Sequence, residues 1–194
     1  MDKLILASAS PRRRELLELI GVPFRVVKSD APETITKEAP GEIVMELSAR
    51  KAEDVAGSVR DGYILGADTI VWAEGRLLGK PADREDAQRM LKMLSGKAHQ
   101  VFTGVTILVK EHGEEAQKDS FFCRTIVHVH DMTEEEICGY IDTGDPFDKA
   151  GSYGIQGPFA AFVDGIEGDY QNVVGLPVSE VYRHLRKQGF SWSL

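Results

Sequence analysis

The sequence predicts an α/β protein: a mixed, twisted sheet with flanking helices. Three observations lead there. Short apolar runs of strand length recur, as at residues 4–7 and 63–72. Stretches with helical spacing alternate with them, as in Ile43, Val44, Leu47, Ala52 and Val55. Glycine, proline and capping residues mark the boundaries between the two.

The elements follow in order. Residues 4–7 read as a strand with both faces buried. Ser10 then reads as an N-cap with Pro11 at the first helical position. Leu16, Leu17, Leu19 and Ile20 give that helix an apolar face, and Gly21 ends it. Residues 24–27 form a second strand. A polar loop with Pro32 and Pro40 leads to a helix over residues 41–56. The strand at 63–72 turns at Glu74-Gly75 into a short strand at 76–78. Asp83 caps a third helix with Ala87, Met90, Leu91 and Leu94 inward. Residues 101–109 and 121–129 read as two long strands joined by a polar segment around His112-Gly113. Thr133 and Glu136 form a capping box, and that helix runs to about Asp142. Residues 159–163 read as another strand. Val178, Val181, Tyr182 and Leu185 mark a C-terminal helix.

The chain has 194 residues, 42% of them hydrophobic, which suits one domain over residues 1–194 with a sizeable core. Asp plus Glu number 31 against 23 Lys plus Arg, for a net charge of −8. Long nucleic acid needs a broad basic surface and is excluded on that ground. A small anion needs only a local cluster of cations. Cys123 and Cys138 match no zinc or redox spacing, so a reducing, cytoplasmic setting is expected. Cys123 reads as core. No run has the length of a membrane span or a signal-peptide core.

Four places break local rules, and such places tend to be functional. Arg12, Arg13 and Arg14 crowd a helix N-terminus, where each cation is unfavourable by about 0.3–1 kcal/mol. An anion among them, such as phosphate, removes the conflict. A solvated basic turn is the alternative. Lys51 lies four residues from both Leu47 and Val55, on the apolar stripe of its helix. It either snorkels at the stripe edge or points into an anion site. Asp68, with Thr69, interrupts an apolar strand. A carboxylate there needs a cation or donor beside it. It suits a metal ligand or a base for water, with a bulge or cap as the alternative. Lys80, in Gly79-Lys80-Pro81, follows the hairpin that starts there. Residues 145–157 hold three closely spaced glycines around Gln156. The Gln156 amide offers both a donor and an acceptor, matching N3–H and O4 of uracil or thymine. An ordinary surface loop is the alternative. His128 and His130 lack a third ligand and read as exposed side chains.

These places assemble into a recognisable series. It runs through Leu6-Ala7-Ser8-Ala9-Ser10-Pro11-Arg12-Arg13, Glu33, Lys51, Gly66-Ala67-Asp68-Thr69 and Gly79-Lys80-Pro81. It continues with Leu94-Ser95-Gly96, Asp148-Lys149-Ala150-Gly151, Gly154-Ile155-Gln156-Gly157 and Gly175-Leu176-Pro177. In this the chain resembles the Maf family of nucleoside triphosphate pyrophosphatases over nearly its whole length. The resemblance implies an elongated fold of the Maf and ITPase kind, with two lobes around a central cleft, and a homodimer. It implies cleavage between the α and β phosphates with a divalent cation, Mg²⁺ or Mn²⁺. Asp68 matches the proton acceptor. Arg12, Thr69 and Gln156 match the positions linked to base choice, in the form similar to the subset acting on dTTP and UTP. Modified pyrimidine nucleotides such as 5-methyl-UTP or pseudo-UTP fall in the same expectation. The family is also associated with inhibition of septum formation.

On that basis Ser8, Arg12, Arg13, Lys51 and Lys80 are expected to bind phosphate, and Glu33 and Asp68 to hold the metal. The alternatives are a pyrophosphatase for another base, such as 7-methyl-GTP or ITP, and a non-catalytic nucleotide-binding regulator.

Overall fold

The structure, a computed structural model, describes residues 4–192. Its elements in chain order are β1 (Leu4–Leu6), α1 (Pro11–Leu19), β2 (Phe24–Val26), α2 (Pro40–Ala56), β3 (Gly62–Ala73), β4 (Arg76–Leu78) and α3 (Arg84–Leu94). There follow β5 (Ala98–Glu111), β6 (Glu114–Val129), α4 (Glu134–Asp142), β7 (Val163–Glu167), α5 (Tyr170–Val174) and α6 (Val178–Lys187). Among the described residues, seven strands form one mixed sheet in the order β2-β1-β3-β5-β6-β7, with β4 paired to β3. β1 runs parallel to both β2 and β3, whereas β3–β4 and β6–β7 are antiparallel. No described helix is long and apolar enough to cross a membrane.

The chain divides into two compact units. Among the described residues, the first takes 4–68, Thr103–Cys123 and 175–192; the second takes Thr69–Phe102 and Arg124–Val174.

In the first unit, Ile5, Ala7, Ala52, Val55, Ala56, Val59, Ile64 and Leu108 form one buried cluster, with Val27 against it. It joins the inner face of α2 to β1, β3 and β5. Two glycines let α2 lie with its backbone directly on the strands. A Cβ on Gly104 would fall 2.3 Å from the carbonyl of Val44. A Cβ on Gly66 would fall 2.2 Å from the carbonyl oxygen of Ser48. That close approach also buries Ser48, whose hydroxyl meets Thr106 Oγ1 at 2.9 Å. A buried hydroxyl without such a partner is costly.

In the second unit, α3 buries Ala87, Met90, Leu91 and Leu94, and α4 buries Ile137, Tyr140 and Ile141. Asp83 caps α3 by accepting from Asp86 N–H at 2.8 Å. The Thr133–Glu136 capping box is formed in both directions.

Several boundaries differ from the sequence reading, each for a physical reason. Of residues 159–163, only Val163 belongs to a strand. Pro158–Phe162 is a 3-10 turn, and β7 starts only at Val163. A five-residue apolar run does not distinguish a strand from a buried helical turn. Here Phe159, fully buried, packs on Tyr140, Tyr153 and Phe162, with ring centroids 4.5–5.6 Å apart. The polar segment around His112 belongs to the strands β5 and β6, and only His112-Gly113 turns. Both residues have positive φ, as a two-residue hairpin of this twist requires. The apolar signal marked only residues 101–109, where β5 is buried on both faces.

Leu19 is 70% exposed and lies off the buried face of α1, which carries Arg13, Leu16 and Leu17 instead. Tyr182 is also exposed, and Cys123 is only half-buried. Ser10 occupies the N-cap of α1 without a side-chain capping bond.

Two glycine substitutions should move stability in opposite directions. Gly104→Ala forces a Cβ into the α2 backbone and should cost about 1–3 kcal/mol, the range for overpacking. Gly139→Ala lies in α4 with open space around it and should stabilise by up to about 1 kcal/mol through helix propensity. Urea midpoints of the two variants check this pair of signs.

Candidate functional site

The first unit gathers six of the sequence-predicted residues: Ser8, Arg12, Arg13, Glu33, Lys51 and Asp68. Gly66 and Asp68 stand two apart on β3 and therefore face the same side, the side against which α2 rests at Gly66. On α2, Ser48, Lys51 and Ala52 share a face, and both Ser48 and Ala52 touch the Gly66 position. The missing Cβ thus lets α2 approach until Lys51 reaches Asp68. Lys51 Nζ donates to Asp68 Oδ1 at 2.5 Å and to Glu33 Oε1 at 2.9 Å. Asp68 is buried, while Glu33 is exposed. A buried carboxylate left without its cation costs about 3–5 kcal/mol, so this pair also holds the unit together.

Glu33 lies on the loop between β2 and α2, and α2 itself fastens that loop on both sides of it. Before Glu33, Ser29 Oγ and Asp30 N–H donate to Asp54 Oδ2 at 2.8 and 2.9 Å. After it, Thr36 N–H and Oγ1 donate to Glu46 at 3.0 and 2.7 Å. The two Thr36 bonds pull the Glu46 carboxyl down to about 2. The sequence reading missed Glu46 and Asp54. On sequence alone they are charges on a solvated helix, and only the returning loop gives them a task.

Arg13 is buried and held from two directions. Its Nε donates to the Gly175 carbonyl at 2.9 Å and its Nη1 to Ser8 Oγ at 3.2 Å. Ser8 Oγ also accepts from Ser10 N–H at 3.2 Å. Burial pushes the Arg13 guanidinium below its ordinary value; Asp68 and Glu33 oppose that, and Arg12 adds to it. Arg13 thus lies within electrostatic reach of Asp68, Glu33 and Arg12, and the two carboxylates also meet the Lys51 ammonium. Arg14 points away, exposed and paired with Glu18. Among the described residues, no group of three or more His, Cys, Asp or Glu side chains is arranged to hold a metal ion.

The second unit carries Thr69, Lys80 and Gln156. Thr69 is half-buried on β3, and Lys80 and Gln156 are exposed. Gln156 sits in a turn closed by Gly157 N–H to the Gly154 carbonyl at 3.2 Å. His128 and His130 face Glu167 and Asp164 and are half-buried. Ser95 and Lys97 are occupied structurally, by Met132 N–H and by Glu74.

The fold is like that of the Ham1 protein of Staphylococcus aureus. The TM-score is 0.56 at 11% identity, covering 96% of this chain and 100% of that one. At that identity the likeness concerns the fold alone. Sequence comparison is more specific. The chain belongs to the Maf family, whose model, described as "Maf-like protein", matches residues 3–188. It is 52% identical to a dTTP/UTP pyrophosphatase of Agathobacter rectalis, over 97% of this chain and 98% of that protein. It is 51% identical to a dTTP/UTP pyrophosphatase of Bacillus cereus, over 96% of each.

One group behind the Gln156 turn gives a pH-dependent test. His99 is buried, and its Nε2 lies 2.7 Å from Tyr153 Oη. Burial, with His128 nearby, pushes the His99 imidazole down to about 4. The unfolded chain takes up this proton below about 6.5, whereas the folded protein does so only near 4. The stability due to neutral His99 is therefore fully present above pH 6.5 and lost as pH falls to 4. A shift of that size corresponds to roughly 3 kcal/mol. Urea midpoints between pH 7 and 4 should fall more steeply for the parent than for His99→Gln; parallel curves would refute the assignment.

Proposed function

We propose that the protein hydrolyses dTTP and UTP, or modified forms of them, to the monophosphate and pyrophosphate. The observation that carries this reading is the buried Asp68 carboxylate, 2.5 Å from Lys51 Nζ and within the field of Arg13. The full-length likeness to two dTTP/UTP pyrophosphatases supports the choice of bases.

The chemistry asks for three things: charge opposite a polyanion, an oriented water, and a stabilised leaving group. Arg12, Arg13, Lys51 and Lys80 supply positive charge, and Ser8 a hydroxyl, toward the phosphate oxygens. Asp68, whose carboxylate meets the Lys51 ammonium, accepts a proton from the attacking water. The water oxygen bonds to the α-phosphorus, the bond from that phosphorus to the bridging oxygen breaks, and pyrophosphate leaves with the electron pair. Thr69, Gln156 and Arg12 select the base.

Glu33 and Asp68 fit a divalent cation. Their oxygens already converge on one positive centre, the Lys51 ammonium. Mg²⁺ is commonly held by one or two carboxylates, with water and substrate phosphates completing its shell, so two protein carboxylates suffice. Such an ion, when bound, would neutralise phosphate charge.

Assays with Mg²⁺ and a panel of nucleoside triphosphates test the reading. dTTP and UTP should yield pyrophosphate; release of orthophosphate would move the cleavage site and reject the mechanism. Asp68→Asn should lose at least about a hundredfold in kcat, the scale of acid–base assistance. Nucleotide binding without turnover in the parent protein would favour a regulator instead.

A further inference from the structure

Gln156 is exposed on a short turn, yet selecting a base by hydrogen bonds requires its amide to be held in place. The residues behind that turn form a connected network that ends on it. The phenol of Tyr140 donates to Asp145 Oδ2 at 2.6 Å and accepts from Gly154 N–H at 3.2 Å. Asp145 Oδ1 and the Asp145 carbonyl accept from Lys149 Nζ at 2.8 and 2.6 Å, and Asp148 Oδ1 accepts from the same ammonium at 2.7 Å. Burial, followed by the bond to Asp145, raises the Tyr140 phenol above its ordinary range, so it stays a donor to the carboxylate. Its lone pairs are then left for Gly154.

The glycines on either side of Gln156 make room for this network. A Cβ on Gly154 would meet Lys149 Cε at 2.6 Å, and one on Gly157 would meet Asp145 Oδ2 at 3.1 Å. The turn is thus seated on Asp145 and Lys149 at both flanks. On its N-terminal side, Tyr153 is buried and bound to His99.

We propose that Tyr140 and Asp145 are positioning residues for base selection: they fix the Gly154–Gly157 backbone so that the Gln156 amide presents its donor and acceptor in one orientation. This rests on Gln156 reading the base. Thymine and uracil offer an acceptor at O4 and a donor at N3, and cytosine offers the reverse. A loosened amide therefore loses the distinction between them. Tyr140 touches neither phosphate nor water in this scheme and acts only through the turn.

The experiment compares kcat/KM for dTTP and dCTP. Tyr140→Phe and Asp145→Asn should each lower the dTTP value about tenfold, mainly through KM, as expected for one misplaced hydrogen bond. The dCTP value should stay within about twofold, so the ratio of the two falls. In a Gln156→Ala background, Tyr140→Phe should change the ratio by less than about twofold, because the side chain it orients is gone. Equal losses for dTTP and dCTP, or an unchanged ratio in a folded Tyr140→Phe protein, would overturn the positioning role. If Tyr140→Phe fails to fold, Gly157→Ala displaces the same turn and is read in the same way. A Gln156→Ala protein that keeps full preference for dTTP would instead sink the base-reading role on which the proposal stands.

Discussion

The Lys51 ammonium lies between Glu33 and Asp68, and the arrangement of the first unit follows from keeping it there. A buried carboxylate in an apolar strand is unstable alone. Lys51 compensates it only if α2 comes within reach, and α2 comes within reach only because Gly66 and Gly104 carry no Cβ. Glu33 meets the same ammonium only because Asp54 and Glu46 fasten its loop to that helix. One ion cluster thus ties a strand, a helix and a loop together.

The guanidinium of Arg13 extends the same logic. Burying it is unfavourable, and the Gly175 carbonyl and Ser8 hydroxyl offset that by accepting its N–H groups. Its charge remains close to Asp68 and Glu33.

The second unit solves a different problem with similar means. Its glycine-rich segment has no regular ladder to hold it, so side chains do the holding. Phe159 anchors it to Tyr140 and Tyr153, and Lys149 bonds back to Asp145 and Asp148. Rigidity in a loop of this kind comes from satisfied polar groups and aromatic packing, not from secondary structure.

Much of this was written locally in the chain. Asp83 and the Thr133–Glu136 pair announce two helices because capping depends on residues only three apart. Asp68 and Lys51 stood out because each sits where an apolar side chain was expected. Residues 159–163 misled for the same local reason, since an apolar run carries no record of its partners. The sequence by itself determined which residues are anomalous for their position. Only the tertiary structure decided that Lys51 serves Asp68 and Glu33 at once, that Arg13 is held by Gly175, and that Glu46 and Asp54 secure a loop. Those pairings join residues far apart in the chain. They exist because two glycines let a helix approach a sheet, a matter of distance that no local pattern encodes.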